Sequence, residues 1–166
     1  NFTPVIGGSG NTACGAHGLI AGADNRSGTT YQPHSIVLGG KKNCADHGYQ
    51  VILNGNCNDT GTGVSHALIG SGKSNSIRSL NNGSGYNVIL NGCTNFASGS
   101  STFTGTGLDN RVLSAHSSII NGQNNEVGTH HSSVVGGTSN RILSGNMGHD
   151  SILGGEHNCI GTNVIG

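Results

Sequence analysis

A four-residue pattern, Gly-x-x-Asn, recurs ten times along the chain and constrains its fold more than any other feature. The first copy runs from Gly8 to Asn11 and the last from Gly155 to Asn158. Successive asparagines recur with a period of about 15 residues, which is typical of a solenoid, in which each repeat is one coil stacked on its neighbours. The ten repeat asparagines are Asn11, Asn25, Asn43, Asn58, Asn75, Asn95, Asn110, Asn125, Asn140 and Asn158.

Two adjacent positions ahead of each asparagine are aliphatic in most repeats. Six residues before the asparagine nine of ten residues are aliphatic, as at Ile119, and five residues before it eight of ten are, as at Ile120. Small or β-branched residues stand two positions after the asparagine, which suits an inward-facing strand position. This pattern lacks the i, i+3, i+4, i+7 spacing of an amphipathic helix. The sequence therefore predicts an all-β protein, a parallel β-roll or β-solenoid of about ten 15-residue turns.

The Gly-x-x-Asn segment is predicted to be the tight turn of each coil. Glycine and asparagine tolerate a positive φ, which such a turn requires. Asparagines stacked in successive coils can also hydrogen-bond to one another as an amide ladder. We therefore assign the ten asparagines a structural role and expect no catalysis from them.

The paired aliphatic positions also predict self-association. Neighbouring residues of a strand point to opposite faces of the sheet, so one aliphatic column fills the coil and the other faces outwards. An exposed stripe of Ile and Leu along a rod is an interaction surface. Association around an axis parallel to the rod covers that stripe in every copy, and we expect three copies.

Several segments resemble the head repeat of YadA-like trimeric autotransporter adhesins, which runs roughly S-V-A-I-G-x-x-A-x-A-x-G. The segments are S-V-V-G-G-T-S-N at 133–140, S-I-L-G-G-E-H-N-C-I-G at 151–161 and S-I-I-N-G-Q-N-N-E-V-G at 118–128. The chain is also similar to β-roll segments of phage and viral fibres. The resemblance implies a left-handed parallel β-roll, a homotrimer with its chains side by side, and attachment to host surfaces. It implies an extracellular location, at a cell or virion surface.

The composition argues against several other classes of protein. The formal net charge is zero and the seven Lys and Arg residues form no basic stripe, so we expect no nucleic-acid binding. No run of about 18 apolar residues is present, so we expect no membrane insertion by this segment. The five cysteines are an odd number without zinc-site spacing, and we expect free thiols and no cofactor.

Catalytic motifs are missing from the sequence. It contains no GxSxG, HExxH or Walker pattern, and its seven carboxylates are scattered, so we predict that the chain is not an enzyme. Ice binding would require the same outward-facing side chain, such as threonine, in every repeat. The outward-facing residues that follow the repeat asparagines differ in size and charge from repeat to repeat, so we do not expect ice binding. Residues 1–166 are predicted to be a single repeat domain, with its turns in 5–161, and a segment of a longer fibre.

A column of rings precedes the strands. Nine residues before the repeat asparagine stand five histidines, with Tyr49 and Tyr86 at the same position in two other repeats. The rings either stack on one another at the start of the strand or contact a ligand. If they instead face a threefold axis, each set of three imidazoles could hold a metal ion or an anion, or titrate near pH 6. The five histidines are His34, His66, His116, His131 and His149.

Inserted loops lengthen three repeats and offer candidate ligand contacts. The loops are either solvated insertions without a binding role or a binding surface. In the second case, the side chains able to contact a host glycan or protein receptor are Tyr31, Leu80, Tyr86 and Met147. The predicted function is that of a trimeric surface fibre, an adhesin head or shaft that mediates attachment by multivalent display. The alternative is a purely structural fibre or virion coat component without its own ligand site.

Overall fold

The computed structural model describes residues 4–15, 17–28, 34–79, 85–143 and 148–161. Within these residues the chain forms short strands and turns, and none of it is helical. No helix in this part of the chain is long and apolar enough to span a membrane. The predicted all-β class is confirmed.

Nineteen strands of two or three residues form two parallel sheets in the described part of the chain. Each strand pairs with the equivalent strand of the next coil, so the chain is a parallel β-solenoid, as the period predicts. The first sheet has ten strands: β1 (Thr12–Ala13), β3 (Arg26–Ser27), β5 (Cys44–Ala45), β7 (Asp59–Thr60), β9 (Ser76–Arg78), β11 (Phe96–Ser98), β13 (Arg111–Val112), β15 (Glu126–Val127), β17 (Arg141–Ile142) and β19 (Cys159–Ile160). The second has nine: β2 (Leu19–Ile20), β4 (Ile36–Val37), β6 (Gln50–Ile52), β8 (Ala67–Ile69), β10 (Asn87–Ile89), β12 (Phe103–Thr104), β14 (Ser118–Ile119), β16 (Ser133–Val134) and β18 (Ser151–Ile152).

A third ladder of single-residue bridges runs along the turn, two residues before each repeat asparagine. Leu108, for example, bridges Cys93 in the preceding coil and Gln123 in the following one. The Gly-x-x-Asn turn is therefore itself in β-register from coil to coil. This ladder explains why the four-residue pattern recurs unchanged while the opposite side of the coil varies in length.

The interior of the solenoid is a narrow stack of aliphatic side chains contributed by both sheets. The residue at the end of each strand of the nine-stranded sheet points inwards, and nearly all of these are fully buried isoleucine or valine. Thr104 is the exception, and its buried hydroxyl has no hydrogen-bond partner. It separates two core clusters, one reaching from Ile20 to Ala97 and one from Val112 to Ile152.

The second repeat departs from the counting rule that the sequence suggests. Six residues before Asn25 stands Leu19, yet the residue in register with the buried Val37 is Ile20. The turn of this coil is one residue shorter, which also explains why Asn25 follows Asn11 by 14 positions. Counting from the buried aliphatic residue therefore aligns the coils better than counting from the asparagine.

The repeat asparagines hold successive turns together. The backbone N–H of Asn125 donates to Oδ1 of Asn110 at 3.1 Å, and Nδ2 of Asn125 donates to the carbonyl of Gly137 at 2.9 Å. Nδ2 also donates to Oδ1 of Asn110 at 3.1 Å, so an amide ladder is present at this step. Asn125 thus bonds to the coil before it and the coil after it.

The backbone conformation of the turn differs in one respect from expectation. The glycine of the turn has a positive φ, for example 114° at Gly122, but none of the ten repeat asparagines does. The second positive φ instead falls on the residue before the asparagine, as at Asp109 with 54° and Asn124 with 55°. The asparagine side chain is required for its hydrogen bonds, and its backbone stays in the ordinary region.

Candidate assembly face and ring stack

The outer surface of the nine-stranded sheet is apolar along most of the rod. The residue that follows the inward-facing one in each coil points outwards, and in seven coils it is a large exposed aliphatic side chain. Eleven large apolar side chains are exposed in the described residues, so more than half of them lie in this one column. The seven are Ile6, Leu38, Leu53, Leu90, Ile120, Val135 and Leu153.

A second column on the same surface extends it. The residue before the buried one also faces outwards, since it lies two positions from the exposed aliphatic residue. It is apolar and half-buried in six successive strands, and it changes to serine in the last three. The apolar six are Leu19, Ile36, Val51, Leu68, Val88 and Phe103, and the serines are Ser118, Ser133 and Ser151. We call the two columns together the apolar face.

Aromatic and imidazole rings stack at the corner that leads into the nine-stranded sheet. The centroids of neighbouring rings are 4.9 to 5.2 Å apart, and most pairs are nearly parallel. Two runs are present: His17, His34, Tyr49, His66 and Tyr86, and then His116, His131 and His149. Ser101 occupies the position between the runs. We call this arrangement the ring stack.

His17 also belongs to the ring stack, although a count of nine residues from the repeat asparagine does not reach it. It lies eight residues before Asn25 instead of nine, because the turn of this coil is one residue short. A count from the buried aliphatic residue would have found it, since every member of the column stands three residues before that residue. The ring stack therefore begins one coil earlier than the sequence indicated.

Left-handed backbone geometry occurs at eight of the nine positions of the ring column, Tyr86 being the ninth. The residues of the column have φ values between 54° and 71° at His17, His34, Tyr49, His66, Ser101, His116, His131 and His149. Desolvation, followed by the electrostatic effect of His116, His149 and His130, lowers the pKa of His131. In a single chain, no histidine belongs to a group of three metal-ligating side chains within the described residues.

A polar cluster lies on the outer face of the ten-stranded sheet. Arg26 donates from Nε to Sγ of Cys44 at 3.1 Å and pairs with Asp46, while Arg78 pairs with Asp59 at 2.8 Å. The Sγ atom of Cys44 and one carboxylate oxygen each of Asp46 and Asp59, all atoms able to ligate a metal ion, lie within 4.8 Å of one another. Burial, followed by the hydrogen bond to Asp46, raises the pKa of Cys44 to about 12, so the thiol is protonated at neutral pH. Each carboxylate is paired with an arginine of a neighbouring coil, so the cluster links the coils electrostatically.

The remaining candidate residues are dispersed. Tyr31, Leu80 and Met147 lie outside the described residues. Tyr86 is an exposed member of the ring stack. All five cysteines are free thiols, three of them exposed, namely Cys14, Cys57 and Cys159.

Comparison of the chain with protein-family models, with curated proteins and with solved structures finds no match. The assignment of a function therefore depends on the surfaces described above.

Proposed function

We propose that the chain is a segment of a homotrimeric surface fibre, the head or shaft of an adhesin that attaches to a host surface. Its coils form a left-handed β-roll of the kind found in YadA-like adhesins, and the fibre is displayed at a cell or virion surface. The observation that carries the proposal is the apolar face. A column of exposed leucine, isoleucine and valine side chains, present in seven coils along one side of the rod, is a surface suited to a partner of matching length.

A copy of the same chain provides such a surface. The apolar face repeats with the coil spacing, about 4.8 Å per strand, so a second solenoid in parallel register matches it coil by coil. A cyclic arrangement buries the same face in every copy and leaves none exposed. Three copies is the number that the resemblance to trimeric adhesins implies. Left exposed, the apolar face would favour uncontrolled association.

Attachment then follows from multivalent display. Three identical chains present every outward feature three times on one stiff rod, so weak single contacts combine through effective concentration. A glycan or a protein on the host is the proposed partner. The proposal includes no catalytic activity, no cofactor and no nucleic-acid partner.

Light scattering after gel filtration tests the assembly. Three chains of 16.6 kDa give a mass of about 50 kDa, which we expect across a wide range of protein concentrations. A folded species with the mass of one chain, or of two, would contradict the trimer.

Binding of the purified trimer to host cells and to a glycan array tests attachment. Retention on either supports the adhesin. A trimer that forms end-to-end polymers and is retained by neither would favour the purely structural fibre.

A further inference from the structure

We propose that the interruption of the ring stack at Ser101 is a binding site for one planar aromatic ring. The ring belongs to an exposed aromatic side chain of a protein partner and inserts between Tyr86 and His116. This inference deepens the proposed attachment function and rests on it for its biological role. The binding geometry itself is a property of the single chain.

The register places Tyr86, Ser101 and His116 in three consecutive coils. Val88 pairs with Phe103 and Phe103 pairs with Ser118, and each column residue stands two positions before one of these. Because strands of a sheet lie about 4.8 Å apart, the rings of Tyr86 and His116 are about 10 Å apart. A ring placed midway would lie about 5 Å from each, which is the spacing found throughout the ring stack.

The backbone at Ser101 is that of a ring-bearing position. Its φ is 58°, against 57° at Tyr49 and 54° at His116. The interval from Tyr86 to Ser101 equals that from Ser101 to His116, and both match the commonest repeat length, so the chain carries no insertion between Tyr86 and His116. The Cβ atom of Ser101 therefore lies where the Cβ atom of a ring-bearing residue would lie, and the serine side chain extends only one heavy atom, Oγ, beyond it. Only the ring itself is missing.

The exposed fractions of Tyr49 and Tyr86 indicate that one face of the Tyr86 ring is uncovered. Tyr49 has a ring on both sides and is 52% exposed, whereas Tyr86, which has a ring on one side only, is 66% exposed. Stacking of aromatic rings buries apolar surface and adds a favourable quadrupole term. An inserted ring gains both contributions twice, once against Tyr86 and once against His116.

The surroundings favour a neutral planar ring over a charged ligand. The residues on either side of the three column positions are Gly85, Asn87, Ser100, Thr102, Ala115 and Ser117, all small or uncharged. His116 is the one titratable group at the walls of the gap apart from the Tyr86 phenol. The site therefore selects by ring shape and apolar area, as an exposed tryptophan, tyrosine or phenylalanine side chain provides.

A titration followed by NMR tests the proposal, with N-acetyl-tryptophanamide as the probe at neutral pH. We expect saturable shifts of the ring resonances of Tyr86 and His116, with one probe bound per chain. S101H supplies the missing ring from the chain itself, so the binding should be lost. S101A leaves the gap open and should bind as the unchanged protein does, which separates ring insertion from a general effect of substitution at this position.

A second variant tests whether a gap is sufficient. Y49S removes one ring between His34 and His66 and should add a second binding site, raising the stoichiometry to two probes per chain. An absence of saturable shifts in the unchanged protein, or full binding by a folded S101H variant, would overturn the inference. If methyl β-galactoside displaces the probe and binds the site more tightly than the probe does, the assignment of the ligand class would be overturned.

The mass of each titrated sample distinguishes this inference from the proposed function. A trimer that does not bind the probe contradicts the aromatic site alone. A monomer that binds it with one probe per chain contradicts the trimer alone.

Discussion

Ile119 and Ile120 are adjacent in the chain and lie in opposite environments. Ile119 is fully buried inside the coil, whereas Ile120 is 49% exposed on the apolar face. The same relationship repeats along the rod, at Ile52 and Leu53 and at Ile89 and Leu90. One isoleucine therefore stabilises the solenoid, and its neighbour is available to stabilise the assembly.

Aspartate at these two positions should cause two different failures. I119D buries a carboxylate without a partner and should prevent folding, as judged by circular dichroism. I120D should keep the β-sheet spectrum and reduce the mass in light scattering to that of one chain. As a control, I119V removes one methyl group and should cost only about 0.5–1.5 kcal/mol. If I119D and I120D both remain folded and oligomeric, the two faces of the strand are not both buried in the assembly.

Loss of one repeat asparagine should destabilise the whole solenoid. N125A removes the Nδ2 group that donates to Asn110 and Gly137 and leaves the N–H of Asn140 without its 2.9 Å acceptor. We expect the free energy of unfolding to fall by roughly 2–4 kcal/mol, because buried polar groups lose their partners. Urea denaturation measures the change. Q123A, at an exposed position two residues away, should change it by less than about 0.5 kcal/mol.

Two glycines in neighbouring turns should respond differently to alanine. Gly122 has a φ of 114°, and a Cβ there would collide with the carbonyl oxygen of Gly137 and the side chain of Asn125. G122A should therefore cost at least about 2 kcal/mol in thermal or urea unfolding. A Cβ at Gly136 has no neighbour within 4 Å, and G136A should be almost neutral. Equal stability of the two variants would contradict the role assigned to the turn.

Cys44 should be the slowest of the thiols to react. Burial and the hydrogen bond to Asp46 raise its pKa to about 12, so very little thiolate is present at about pH 8. Iodoacetamide labelling followed by mass spectrometry should modify the exposed Cys14, Cys57 and Cys159 first. D46N removes a negative charge that raises the pKa and should accelerate labelling of Cys44. Labelling of Cys44 as rapid as that of Cys57 would contradict the assignment.

Mild acid should weaken the fold through the ring stack. The pKa of His131 is lowered below its ordinary value of 6.5, so the unfolded chain binds the proton first as the pH falls. The stabilisation is complete above about pH 6.5 and is lost as the pH decreases towards the folded-state pKa. Thermal unfolding between about pH 7.5 and about pH 5 measures the loss, which should be smaller in H131S. The pKa of Asp59 is raised by its burial, and protonation of this carboxyl as the pH falls acts in the opposite direction.

The sequence predicted the architecture because the repeat encodes it locally. Each Gly-x-x-Asn turn and each buried aliphatic residue specifies one coil, and stacking identical coils requires no long-range information. The alternation of buried Ile119 and exposed Ile120 follows from strand geometry alone. Positions that obey the period, such as the column containing His116 and His131, could therefore be aligned from the sequence.

Features that depend on small changes of coil length required the tertiary structure. The short turn before Asn25 moved Ile20 into the core and His17 into the ring stack, which a count from the asparagine misaligned. The Arg26 and Cys44 cluster assembles from consecutive strands, and only their pairing shows that the side chains meet. The sequence by itself determined the coil and its repetition, because these depend on residues within one repeat. The register between coils decided which side chains stack and where Ser101 interrupts them, because those contacts join residues that lie about one full repeat apart.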